Sequence, residues 1–342
     1  MSPQFSATSS SAAERSPVLI AGTGAMACLF AAHFSQAGVE AIMLGTWPQG
    51  LQALQRCGVT LVDTAGREQT LPVRATDDPQ ACSGSRLALV LVKSWQTERA
   101  ARQLAACLAP DGLALTLQNG LGNHEVLMRA LGAERVAQGV TTIGANLLAP
   151  GRVRLAGEGV INLADHPRLK PLLELLRRPG FSVEITPNPE SLVWGKLVIN
   201  AAINPLTAIL GVQNGELLEL PGARRLMAAA GGEAAAVATA LEISLPYPDP
   251  VAAAEAVARR TALNRSSMLQ DISRGAPTEI DAICGAIVRA GKQTGVPTPV
   301  NETLWQLIQA LVASKEPAAV QPAQKQSYAF QSYPFYQEQR KS

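Results

Sequence analysis

A lysine and two asparagines stand four residues apart in the run Lys196-Leu-Val-Ile-Asn200-Ala-Ala-Ile-Asn204-Pro205, which is otherwise apolar. In a helix this spacing stacks Lys196, Asn200 and Asn204 along one face, while Leu197, Val198, Ile199, Ala201, Ala202 and Ile203 cover the remainder. A helix apolar on most sides is buried, and burying an ammonium and two amides without partners costs several kcal/mol. The pattern therefore predicts one of two things: a cleft whose ligand supplies the missing partners, or three side chains satisfied by backbone groups where two domains meet. In a cleft, burial would bring the lysine pKa toward neutrality and make Lys196 a proton donor.

Further polar clusters punctuate apolar segments. Lys93-Ser94-Trp95-Gln96 follows one such segment, and Gln118-Asn119-Gly120-Leu121-Gly122 follows the next, with glycines that permit close backbone approach. Later come Asn264-Arg265-Ser266-Ser267-Met268-Leu269-Gln270-Asp271 and Thr278-Glu279-Ile280-Asp281. These two have structural readings as well. Ser267 with Gln270, and Thr278 with Asp281, have the spacing of helix capping boxes, and Glu279 could be a first-turn acid favoured by the helix dipole.

The elements that must position these groups begin near the N-terminus. Pro17-Val-Leu-Ile-Ala21 reads as a short buried strand, Gly22-Thr23-Gly24-Ala25-Met26-Ala27 as a tight turn, and Cys28 to Gln36 as an apolar helix stopped by Gly38. This is the order of a dinucleotide-binding βα unit. Its first glycine makes the turn, its second admits the pyrophosphate to the helix N-terminus, and the small Ala27 lets helix pack on sheet. The second strand, Val39 to Leu44, runs into Gly45-Thr46-Trp47 without the acid that would grip the ribose hydroxyls of NAD. That leans toward NADP, although no arginine stands there to meet a 2′-phosphate either.

Leu87 to Val92 and Leu113 to Leu117 are apolar enough for parallel strands covered on both faces, and Val160 to Leu163 and Ser182 to Ile185 read as further strands. From Pro189 the pattern becomes helical, with a long helix over Ala223 to Leu241 and a Pro-broken turn at Pro246 to Pro250. The predicted architecture is an α/β Rossmann-type dinucleotide-binding domain over residues 17–187 followed by an all-α domain over 188–314. The Ser/Ala-rich residues 1–16 read as a disordered extension and residues 315–342 as a mobile tail. Aromatic residues in that tail could dock on a partner or on a second subunit in a homodimer.

Composition excludes several classes. A net charge of +2 in 342 residues with 4% aromatics argues against nucleic acid and an anionic membrane surface as partners. The five cysteines are scattered without a C-x-x-C pair, which fits reduced thiols in a cytoplasm rather than disulfides or a metal site. If a dinucleotide delivers hydride to a ketone, negative charge develops on the carbonyl oxygen and a cation or proton donor must face it. The three histidines, His33, His124 and His166, lie outside the helical motifs, and Lys196 is the better candidate.

Taken together, these clusters resemble the ketopantoate reductase family over about residues 17 to 312, through the runs K-L-V-I-N-A-A-I-N-P-L-T-A-I-L, S-S-M-L-Q-D and T-E-I-D. The resemblance implies NADPH-dependent reduction of the 2-oxo acid 2-dehydropantoate, with Lys196 as general acid and Glu279 as a second essential polar group. It implies Asn119, Asn200, Asn204 and Ser267 as substrate contacts, and Gly22 to Ala27, Lys93, Gln96 and Asn119 as contacts of the cofactor. Two positions depart from the family. Gly45-Thr46-Trp47 occupies the turn where an arginine often binds the 2′-phosphate, and Cys284 stands where an asparagine commonly follows T-E-I-D. A related reductase of another 2-oxo acid, or a non-catalytic NADP-binding sensor, therefore remains as an alternative.

Overall fold

The computed structural model describes residues 17–315; the expected extension before residue 17 and the tail beyond residue 315 lie outside the described residues. In chain order the sheet half comprises β1 (Val18–Ala21), α1 (Ala25–Gln36), β2 (Ala41–Leu44), α2 (Pro48–Cys57), β3 (Val59–Val62), β4 (Glu68–Leu71), β5 (Arg74–Thr76), β6 (Ser85–Val90) and α3 (Thr97–Cys107). It continues with β7 (Leu108–Thr116), α4 (Asn123–Leu131), β8 (Val136–Thr141), β9 (Gly144–Ala149), β10 (Arg152–Gly157), β11 (Val160–Ala164), α5 (Lys170–Arg177) and β12 (Ser182–Thr186). The helical half comprises α6 (Pro189–Leu210), α7 (Glu216–Glu219), α8 (Pro221–Ala240), α9 (Pro250–Arg260), α10 (Ser267–Ser273), α11 (Cys284–Thr294) and α12 (Pro299–Lys315). Lys315, which the sequence reading assigns to the tail, is thus the last residue of α12.

Eight strands form one sheet in the order β12-β11-β8-β7-β6-β1-β2-β5, parallel throughout except where β11 meets β8. Every residue of β1 and β2 is buried, as expected for central parallel strands covered on both faces. After β2 and β5 extend the sheet on one side of β1, the chain crosses to β6 on the other. The carboxyl ends of β1 and β6 therefore flank the switch point where a doubly wound sheet opens a crevice.

A second sheet, in the order β4-β3-β10-β9, is absent from the sequence reading. Its strands are short and in part exposed, and its central pair joins Thr60 to Arg152, a pairing that local patterning does not reveal. It explains one feature that the sequence does show. α1 packs between the two sheets, so Cys28, Leu29, Phe30, Ala31 and Ala32 are all fully buried and the helix keeps no polar stripe.

The helical half is organised on α6, which packs against α8, α9, α10 and α12. Small residues line the contact with α8: a Cβ on Gly231 of α8 would sit 3.6 Å from Ala202 of α6, and Ala201, Ala230 and Ala234 are fully buried. α6 is long and apolar enough to cross a membrane, yet 72% of its most apolar window is buried inside the protein. The same helix reaches across to β8 and β11 and so joins the two halves.

Candidate active site

Gly22 ends β1 in a backbone conformation that L side chains rarely adopt, with φ +132°, and a Cβ there would stand 3.2 Å from the Leu91 carbonyl. Gly24 is different, since a Cβ on it would meet nothing within 4 Å. Ala25 and Met26 are half-buried beside it, whereas Thr23 and Ala27 are buried. Gly24 caps α1 without a side-chain hydrogen bond, and the first turn carries no acid. The leading N–H groups and the positive end of the helix dipole are therefore left for an anion, in open space beyond a glycine, which fits the pyrophosphate of a dinucleotide.

At the far end of this crevice the Gly45 N–H is bonded to Thr76 carbonyl at 3.0 Å. Thr46 is exposed, and the Trp47 ring lies over Gly50, where a Cβ would come within 2.2 Å of it. This turn holds a hydroxyl and an indole, with neither a carboxylate nor a guanidinium among its own residues.

Lys93, just beyond β6, reaches into the helical half. Its Nζ is 2.7 Å from Asp271 Oδ2 on α10 and 3.5 Å from Glu279 Oε2. Glu279 also accepts hydrogen bonds from the Ser94 N–H at 3.0 Å and from Asn119 Nδ2 at 3.3 Å. The first-turn reading of Glu279 is overturned, because α11 begins only at Cys284 with no acid in its first turn and Glu279 lies in the turn before it. Its carboxylate, 5% exposed, gathers donors from the segments that follow two sheet strands. Burial acts downward on the Lys93 ammonium, but the attractions of Glu279 and Asp271 outweigh it and hold the pKa above the usual lysine range. Burial pushes the Asp271 carboxyl up, yet cations sit on both of its oxygens, Lys93 on one and Arg274 on the other at 2.9 Å.

A scaffold fixes the Asn119 loop. Asn123 Nδ2 donates to the Asn119 carbonyl at 2.9 Å, and Gln118 Nε2 donates to the Val92 carbonyl at 3.0 Å and to the Thr97 hydroxyl at 2.8 Å. Gly120, with φ +83°, is pressed so closely on the Glu279–Ala282 turn that a Cβ would lie 2.5 Å from the Ala282 carbonyl oxygen. Leu121 N–H donates to that same oxygen at 3.0 Å.

On α6, Lys196 donates to the Thr141 carbonyl at the end of β8, at 2.7 Å. Burial is the main cause that brings its pKa down to about 8, with nearby Glu279 opposing. Lys196 borders a cavity of about 30 Å³ that is also lined by Asn119, His124 and Gln138, room for a water or two. Asn200 is half-buried and Asn204 only 7% exposed, and among the described residues neither side-chain amide has a hydrogen-bond partner. Idle amides along the lysine face favour the cleft reading over satisfaction by backbone. The hydroxyl of Ser267, first residue of α10, and the amide of Gln96 likewise make no hydrogen bond to a described residue.

The capping readings need correction. The cap of α10 is Ser266, whose hydroxyl accepts from Leu269 N–H at 3.1 Å and from Thr207 of α6 at 2.7 Å, which frees Ser267. Thr278 caps nothing, its buried hydroxyl having no partner among the described residues, and Asp281 accepts from Trp305 Nε1 and Gln309 Nε2 instead. His33 packs on Phe181 and His166 accepts from Arg168 N–H, so both have structural roles. Sequence reasoning did not single out Asp271, although it closes the S-S-M-L-Q-D run. Nor did it find Thr141, which contributes a backbone carbonyl and leaves no side-chain signal.

Known proteins share this two-part organisation. Residues 18–168 match the family described as "Ketopantoate reductase PanE/ApbA", and residues 188–312 match "Ketopantoate reductase PanE/ApbA C terminal". The chain belongs to the ketopantoate reductase family. Among its relatives, the 2-dehydropantoate 2-reductase of Archaeoglobus fulgidus is 36% identical over 299 residues, 86% of this chain and 97% of that protein. The PanE/ApbA family ketopantoate reductase of Ralstonia eutropha JMP134 has a similar structure, with TM-score 0.81 and 33% identity over 87% of this chain and 99% of that one. A ternary structure of D-mandelate dehydrogenase with NADH and anilino(oxo)acetate gives TM-score 0.82 at 28% identity, covering 87% of this chain and 99% of that one. Within a ketopantoate reductase frame, Cys284 departs from the usual asparagine in the core rather than in the cleft. It is fully buried among the helices, and burial pushes its thiol pKa up.

Proposed function

We propose that this chain reduces 2-dehydropantoate to (R)-pantoate with NADPH, a step toward pantothenate and coenzyme A. In this reading residues 17–187 hold the dinucleotide and residues 188–314 hold the substrate and the proton donor. The observation that carries it is the polar face of α6. There a lysine with a pKa near 8 is followed by two asparagines whose amides have no hydrogen-bond partner among the described residues, beside a carboxylate that gathers Lys93, Ser94 and Asn119.

Gly22, Thr23, Gly24, Ala25, Met26 and Ala27 would hold the pyrophosphate, and Lys93, Gln96 and Asn119 would flank the rest of the dinucleotide. When bound, the dinucleotide supplies the hydride. Lys196 then gives its proton to the carbonyl oxygen as negative charge develops there, and a pKa near 8 leaves the ammonium charged yet willing to donate near neutral pH. Asn200, Asn204 and Ser267 orient the substrate, and Glu279 accepts a hydrogen bond from a substrate hydroxyl after relinquishing Asn119 or Ser94. Five free thiols support a reducing, cytoplasmic setting.

A second reading, reduction of another 2-oxo acid with NADH, is favoured by the Gly45-Thr46-Trp47 turn, which brings no cation to a 2′-phosphate. Nucleotide oxidation followed by absorbance distinguishes the two, with NADPH and NADH each tried on 2-dehydropantoate, pyruvate and 2-oxoisovalerate. Turnover confined to NADPH and 2-dehydropantoate is expected. Turnover only with NADH or a different oxo acid selects the second reading, and nucleotide binding without any turnover would make the chain a sensor.

A further inference from the structure

A groove of about 870 Å³ opens between the small sheet and the segment that leads into and out of α10. Three exposed arginines line it from separate elements: Arg154 on β10, Arg265 just before α10 and Arg274 just after it. The single carboxylate among its lining residues, Asp63, is already engaged, taking Arg67 Nε at 2.7 Å and the N–H groups of Ala65 and Arg67 at 2.9 Å. Across the groove, Gln270 Nε2 of α10 donates to Asn146 Oδ1 of β9 at 2.8 Å, and Asn146 stands opposite Arg154 in the strand register.

Two of the guanidinium groups are held by one nitrogen and keep further donors. Arg274 uses Nη2 on Asp271, and Arg265 uses Nη2 on the Ser273 hydroxyl at 2.5 Å. A guanidinium has five N–H donors in a planar fork that matches carboxylate and phosphate oxygens. Three such forks around a space the size of a small-molecule site, whose single lining carboxylate is already engaged, make a cradle for negative charge.

We propose that this groove is an anion-binding site, separate from the cleft at Lys196, for a small molecule bearing two or more phosphate or carboxylate groups. The site is wired to the cleft through Asp271, which bonds Arg274 with one oxygen and Lys93 with the other. A polyanion on Arg274 competes with Asp271 for that guanidinium and so alters the hold of Asp271 on Lys93. Occupancy of the groove thus changes the affinity of the nucleotide crevice, and by linkage the nucleotide changes the affinity of the groove.

The test is titration calorimetry of the full chain at low, fixed ionic strength, with inorganic diphosphate in one arm and citrate in the other. The protein is first saturated with NADP+ or NAD+, so that the Gly22 to Ala27 turn is filled. One site is expected in at least one arm, and the tighter arm tells phosphate from polycarboxylate chemistry. Affinity should fall at least about tenfold in the double variant Arg154→Gln/Arg265→Gln, since two charge-assisted contacts are removed while turnover without the anion is unchanged. The single variant Arg154→Glu, on an exposed strand position, gives the same answer should the double variant fold poorly. No binding in either arm, or binding that survives both variants, overturns the proposal. A chain that binds neither nucleotide would fail the proposed function and leave the groove to be judged by the variants alone.

Discussion

Lys196 combines the properties that a proton donor to a carbonyl oxygen requires. It is half-buried, its ammonium is anchored by a single carbonyl, and burial brings its pKa to about 8 despite the opposing pull of Glu279. The acid must be protonated to act, so kcat/KM for oxo-acid reduction should be level below about pH 8 and fall as pH rises through that value. A pH–rate profile checks this, and a limb rising with pH would contradict it. Lys196→Ala should lower kcat by at least about a hundredfold and leave nucleotide affinity unchanged, as measured by steady-state kinetics and fluorescence titration. The adjacent serines of α10 make a second contrast. Ser266→Ala removes both the helix cap and the tie to Thr207, and should cost about 1–2 kcal/mol in denaturant unfolding. Ser267→Ala breaks no hydrogen bond to a described residue, so it should leave stability within about 0.5 kcal/mol and raise KM instead.

Between elements, the closest tolerance in the site is where the loop after β7 meets the turn before α11. Gly120 combines a positive φ with a gap that a methyl group cannot enter, because the Ala282 carbonyl is backbone and cannot rotate away. Gly120→Ala should therefore destabilise by about 1–3 kcal/mol and raise KM for substrate by displacing Asn119 from Glu279; thermal unfolding and kinetics together test this. The elements themselves were readable to different degrees. β1, the Gly22 to Ala27 turn and α1 were legible because each is specified by contiguous residues, and α6 begins at Pro189 where the pattern turns helical. The capping residue of α10 was misread by one position, since Ser266 and Ser267 are equivalent until Thr207 of α6 selects between them.

Across the whole molecule, the two halves are clasped by Lys93, whose side chain is 33% exposed, against Asp271 and Glu279, at 3% and 5%. Asp271→Asn leaves Lys93 with the longer Glu279 contact alone and Arg274 without its anion. We expect a loss of about 1–3 kcal/mol, discounted for the partial exposure of Lys93, with faster hydrogen exchange in α10 and in the loop after β6. Unchanged exchange in both segments would show that the clasp does not hold the halves together.

The sequence alone determined the local features: the dinucleotide turn, the apolar strands, the lysine–asparagine face of α6 and the motifs that mark the family. Each of these is encoded within one or two turns or a single strand, where neighbours in sequence are neighbours in space. Only the tertiary structure decided that Glu279, in the turn before α11, serves Lys93, Ser94 and Asn119, that Thr141 anchors Lys196, and that α1 is buried by a second sheet. The contacts of Lys196 and Glu279 join residues from about 55 to more than 180 positions apart. They depend on how packed elements meet, and no periodicity along the chain records that.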